Sequence, residues 1–229
     1  TTGDLNNDAG YIGSKGALSA TSANIRNTLG GQIQGLESVT LAVGKGVISN
    51  AGGLIRSAAT TSLSAGTVTN SNTLSTTNPD FGIQGNSVAL SAATLSNDSG
   101  AIRATNNLSV ASAGTVNNNA GLMSAGDTLS VQDSQAASSR TLAIRNTAGT
   151  LIADKTLTVA ASSLEGDGKV LSKGDLSITL NTDFNNSCQV IANSNATFTT
   201  SANVSNSGKL QAGNTLKLTA NSIDNTATG

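Results

Sequence analysis

One tripeptide dominates this chain: an aliphatic residue, any residue, then asparagine. It occurs as Leu5-Asn6-Asn7, Ile25-Arg26-Asn27, Ile48-Ser49-Asn50, Val68-Thr69-Asn70, Leu95-Ser96-Asn97, Val116-Asn117-Asn118 and Ile144-Arg145-Asn146. It returns, with Phe184 in the aliphatic place once, as Phe184-Asn185-Asn186, Val204-Ser205-Asn206 and Ile223-Asp224-Asn225; one further member, Leu164-Glu165-Gly166, ends on glycine. The steps between third positions are 20, 23, 20, 27, 21, 28, 20, 20, 20 and 19 residues. A fixed base near twenty with surplus in a few places is the pattern of stacked structural units carrying loop insertions. It argues against disorder, which the low charge and 25 glycines would otherwise suggest.

Each triplet is followed by two more short apolar segments. The first is a pair such as Gln32-Ile33, Leu54-Ile55, Ala101-Ile102 or Val190-Ile191; the second alternates strictly, as in Leu108-Ser109-Val110, Leu129-Ser130-Val131 and Leu176-Ser177-Ile178. Alternation of period two places one face inward and one outward, so these are strands. No stretch keeps helical spacing over three turns. The expectation is an all-β, right-handed parallel β-helix of about eleven coils, each of roughly 20 residues with three short strands. Residues 1–229 form one such segment, read as a fragment of a longer protein. The chain has 2% aromatic residues, as suits a narrow aliphatic tube that large rings would strain.

The third positions Asn7, Asn27, Asn50, Asn70, Asn97, Asn118, Asn146, Gly166, Asn186, Asn206 and Asn225 are expected at a corner. Asparagine tolerates the left-handed conformation, and equivalent amides in successive coils can bond as a ladder. Glycine at 166 enters the same region without steric cost. A ligand-binding role for these amides is the lesser reading. Glycines shortly after most triplets, such as Gly31, Gly53, Gly121 and Gly149, mark the rest of the corner.

Composition removes several functions. With no histidine there is no ordinary catalytic triad or zinc site. A net charge of -1 speaks against nucleic acid as a partner. No apolar run is long enough to span a membrane as a helix, and no leader is evident at Thr1. Cys188 is the single cysteine and reads as a small buried filler. The acidic residues are scattered, Glu165 and Asp167 being the only close pair, so no catalytic residues, metal site or cofactor are assigned.

Two surpluses remain, near 75–87 and 132–140. Pro79 and Phe81 in the first, and Gln132, Ser134 and Arg140 in the second, are candidate binding-loop residues. Tolerated excursions are the plainer reading, with Phe81 folded back over a coil edge. Arg56 and Arg103 occupy equivalent outward places two coils apart, and Arg26 and Arg145 share a site beside the corner. Such columns could engage an anionic glycan, but keeping the rod soluble is the favoured role.

The unit aliphatic-x-Asn-x-x-Gly-x-Ile-x-Ala-Gly-x-Leu-x-Leu, seen in 116–131 and 204–218, resembles the filamentous haemagglutinin repeat. That repeat belongs to large two-partner-secretion exoproteins, both adhesins and CdiA-type contact-dependent inhibition effectors. The resemblance covers nearly the whole chain and implies a non-catalytic, monomeric rod in the central shaft of a secreted bacterial surface protein. It implies export through an outer-membrane Omp85-type transporter and a distal part meeting a target-cell receptor or glycan. A binding module acting through the insertions is the alternative, and a polysaccharide-cleaving β-helix enzyme the less favoured one.

Overall fold

A computed structural model describes residues 3–75, 80–187 and 189–226. Pro79 and Cys188 lie outside the described residues. The chain winds as a parallel β-solenoid of about ten turns of about 21 residues. Eleven corners bound ten complete turns, in keeping with the expected solenoid of about eleven coils. There is no α-helix among the described residues; the one helical element is a 3-10 turn, Ala137–Ser139, inside the second insertion.

Every turn presents three faces. The pre-corner face holds the triplets, for example Ile25–Arg26, Thr115–Asn117 and Ala143–Arg145. The post-corner face follows the asparagine and is a continuous 10-stranded parallel sheet from Tyr11–Ser14 to Lys209–Ala212. The long face carries the alternating segments, such as Ser38–Ala42, Thr128–Asp133 and Asp175–Leu180. Two central coils depart from three separate strands. Thr60–Thr69 and Ser87–Ser96 are each one ten-residue strand running from the long face into the pre-corner face, and they join the two faces into one sheet.

Strands stack in register, so equivalent residues form axial columns. On the post-corner face Ile12, Ile33, Ile55, Ile83, Ile102, Met123, Leu151, Val170, Val190 and Leu210 follow one another. On the pre-corner face the column is Leu5, Ile25, Ile48, Val68, Leu95, Val116, Ile144 and Leu164. Nearly all are fully buried, and each such side chain contributes about 1.5–3 kcal/mol of apolar burial. A single turn cannot enclose itself; stacking supplies the missing walls.

Three core residues break the aliphatic rule. Thr61 stands between Val39 and Val88, fully buried, its hydroxyl donating to the Gln84 carbonyl at 2.6 Å and bonded to Ser57 at 2.9 Å. Phe184 and Phe198 are both buried and stack with ring centroids 5.7 Å apart. The tube therefore admits large rings here, stacked as a pair, contrary to the expectation that they would strain it.

Candidate binding surface

The asparagine corner is a hydrogen-bonded ladder. Nδ2 of each corner residue donates to Oδ1 of the next: Asn7 to Asn27 at 2.7 Å, Asn27 to Asn50 at 2.7 Å, Asn50 to Asn70 at 2.8 Å and Asn70 to Asn97 at 2.8 Å. Asn97 to Asn118 at 2.7 Å and Asn118 to Asn146 at 2.8 Å extend it, and after Gly166 it resumes from Asn186 to Asn206 and on to Asn225 at 2.6 and 2.7 Å. The second Nδ2 hydrogen serves backbone carbonyls, for instance Leu54 from Asn27 at 2.9 Å and Ala101 from Asn70 at 3.0 Å. A buried amide without partners would be costly, and here both ends are satisfied. Asn27 through Asn118 are fully buried. They are framework groups facing inward rather than ligand-binding groups.

The left-handed residue is not the asparagine. It is the residue two places on: Ala9, Leu29, Asn72, Ser99, Ala120 and Ala148, with φ between 49° and 55°, and Gly52 at 62°. The asparagine earns its place through its inward amide, and the turn strain falls on whatever follows. Gly166 is the exception, with φ 106° at the corner position itself. The glycine three places after the asparagine serves another purpose. A Cβ on Gly149 would run into the Asn118 carbonyl of the preceding coil, so close approach demands glycine there.

The two insertions leave from different corners and are not brought together. The first departs after Asn70 and settles on the post-corner face. Thr73, fully buried, accepts the Ala101 amide at 2.9 Å. Phe81 is half-buried, and its carbonyl accepts from Arg103 at 3.2 Å and from Gln84 at 3.4 Å. The second departs from the end of Thr128–Asp133, on the far side of the long face. Gln132 and Ser134 are exposed. The Asp133 carboxylate accepts the amides of Gln135, Thr141 and Leu142, which closes the loop on itself. Arg140 donates to Asn181 Oδ1 at 3.3 Å, and Asn181 Nδ2 returns a bond to the Ala137 carbonyl at 3.1 Å. The loop thus crosses one whole coil along the axis. Sequence reasoning missed Thr73, Asp133 and Asn181, whose partners are 2 to 44 residues away with no recurring spacing.

The arginines are largely engaged. Arg56 and Arg103 lie two coils apart in the outward column Gln34, Arg56, Gln84, Arg103, as expected. Arg56 donates to Gln34 at 3.0 Å. Partial burial lowers the Arg103 pKa from its ordinary value, which the nearby Asp80 carboxylate opposes. Arg26 pairs with Asp8 at 2.6 Å. A bond from the Thr28 hydroxyl holds Asp8 below the usual carboxylate range; desolvation opposes it, and the Thr28 backbone amide and Arg26 add to the lowering. Lys155–Asp127 at 2.6 Å and Lys173–Asp154 at 2.8 Å pair successive coils in the same way. Such exposed pairs contribute little stability.

Among the described residues no three His, Cys, Asp or Glu side chains converge to hold a metal ion, and no helix is long and apolar enough to cross a membrane. The family model described as the haemagglutinin repeat matches the chain at residues 83–152, 137–208 and 171–229. The ladder continues unchanged ahead of the matched part, from Asn7 to Asn70. No curated protein and no solved structure shows significant similarity to the chain.

Proposed function

Because this chain belongs to the haemagglutinin repeat family, we propose that it is the rigid shaft of a large secreted bacterial surface exoprotein, either a filamentous adhesin or a contact-dependent inhibition effector. The shaft holds a distal adhesive, receptor-binding or toxin-bearing part away from the cell. The family points to a structural protein rather than an enzyme. The observation that carries the reading is axial continuity: one buried core and the post-corner and long-face parallel sheets run through all the turns. Its end-to-end length is about 48 Å at roughly 4.8 Å per turn. Export through an Omp85-type outer-membrane transporter fits a fold in which each coil needs only the one before it.

The test is to remove one whole period, residues 98–118, from the parent exoprotein. Surface display is expected to survive, because Asn97 then precedes the sequence that ordinarily follows Asn118, while attachment to target cells falls with the shortened reach. Loss of attachment on trimming 134–139 alone, with the shaft at full length, would instead make the chain a binding module whose insertions meet a receptor or glycan.

A further inference from the structure

Three irregularities coincide at one level of the rod. First, Gly166 supplies no side-chain amide, so the ladder stops at Asn146, whose Nδ2 keeps the bond to the post-corner carbonyl, Lys169 at 3.1 Å, that the regular corners also make. Second, the pre-corner face is divided there. The strand Ser163–Glu165 closes the large sheet, Phe184–Asn186 begins a separate 3-stranded sheet, and no ladder pairs the two among the described residues. Elsewhere the amide of each corner residue donates to the carbonyl one coil on, as Asn118 does to Arg145 at 2.7 Å and Asn146 to Glu165 at 2.8 Å. No such bond joins Gly166 to Asn185, or Leu164 to Asp183. Third, an open cleft lies between the two strands, lined by Ser163, Glu165, Gly166, Thr182, Asp183 and Asn185.

The second insertion spans this level from outside. Its base is in the coil of Ile144, and its bonds through Arg140 and Ala137 end on Asn181, in the coil of Phe184. The coil of Leu164 lies between.

We propose that the Gly166 level is a built-in seam at which one face of the rod opens while the other two stay paired, and that the 134–140 insertion is a strap limiting that opening. The post-corner and long sheets are continuous across the seam, Thr150–Ala153 to Lys169–Ser172 to Gln189–Ala192 and Thr156–Ala160 to Asp175–Leu180 to Ala196–Thr200, so they act as the hinge. Among the described residues, opening breaks no strand-to-strand bond on the pre-corner face. The bonds that cross beside it sit at the turn from the long face, on the hinge side, where the Ser162 carbonyl accepts the amides of Asn181 and Thr182 at 3.1 Å and the Thr182 hydroxyl at 3.0 Å. Opening at any other level of that face breaks several strand bonds as well. The proposal stands apart from the biological setting of the shaft.

Amide hydrogen exchange followed by NMR on the intact chain tests it. The amides of Leu164 and Gly166 are expected to exchange at least about tenfold faster than those of Ile144 and Asn146, the equivalent positions one coil earlier. Asn181→Ala should speed the seam amides a further severalfold and leave Val116 and Asn118 unchanged; Arg140→Gln, which removes only one of the two bonds, is the milder version. Equal protection at Leu164 and Ile144 in the unaltered protein would overturn the seam. Unchanged seam exchange in both variants would overturn the strap.

Discussion

The coil closed by Asn118 and the coil closed by Gly166 differ at the corner residue and in corner length, the chain reaching the post-corner strand four residues after Asn118 but three after Gly166, and nearly everything local differs with it. At Asn118 a buried amide receives a bond from Asn97, donates to Asn146 and donates again to the Thr150 carbonyl. Its backbone amide bonds the next coil, and the strand Thr115–Asn117 is paired on both sides. At Gly166 the backbone turns left-handed in place of the residue two further on, the side-chain bonds are gone, and the strand is paired on one side only. The corner amide therefore does more than satisfy itself. It holds the chain in the conformation that lets the backbone ladder form.

The largest effect that would break this comparison is expected at Asn118. Asn118→Ala strands the Asn97 and Asn146 amides in the buried corner and should cost about 3 kcal/mol, read from the urea midpoint. The reverse change at the seam should not recover that amount. A side chain on Gly166 meets the backbone of Asn146 and Thr147 at a φ of 106°, so Gly166→Asn is expected to destabilise by about 1–2 kcal/mol. A gain in stability would mean the corner conformation follows the side chain without strain.

Beyond the seam the aromatic pair replaces aliphatic columns. Phe198→Leu removes the stack on Phe184 and leaves a partly unfilled space, at a cost of about 1 kcal/mol by thermal unfolding. A smaller effect of opposite sign is expected at a regular corner. Ala120 has φ 49°, and Ala120→Gly should relieve the left-handed strain and stabilise by about 0.5–1 kcal/mol.

The least effect is expected outside the first corner, in acid. Asp8 is held below its ordinary pKa chiefly by Thr28, so its contribution is complete above the unfolded value of about 3.9 and is lost as pH falls through the lower folded value. The stability difference between the native protein and Asp8→Asn should be constant from neutral pH down to about 4 and shrink below it. A difference that changes between pH 7 and 5 would point to another group.

The fold was legible because its signal is repeated. The eleven triplets locate the corner, and alternation in segments such as Leu129-Ser130-Val131 locates the inward column that the register confirms. The asparagine ladder was also legible, since only a stacked amide explains the same residue type at such steps. What failed was local. Backbone strain was assigned to the asparagines because that residue tolerates φ > 0, whereas the buried amide needs an ordinary backbone and passes the strain to Ala9, Leu29 or Ser99. The paired rings of Phe184 and Phe198 were invisible because each stands alone in its own repeat. The tie between Arg140 and Asn181 joins two unrepeated residues 41 positions apart, and a single sequence carries no mark of it.

The eight rungs of the ladder from Asn7 to Asn146 and from Asn186 to Asn225 point the same way: the donor belongs to the earlier coil and the acceptor to the later one. The rod is therefore an arrow. A cut across it exposes amide hydrogens on the stump nearer the N-terminus and bare oxygens on the other. Two such stumps can rejoin only head to tail, because like surfaces have nothing to exchange. Direction along the chain is thus written into the side chains as well as the backbone.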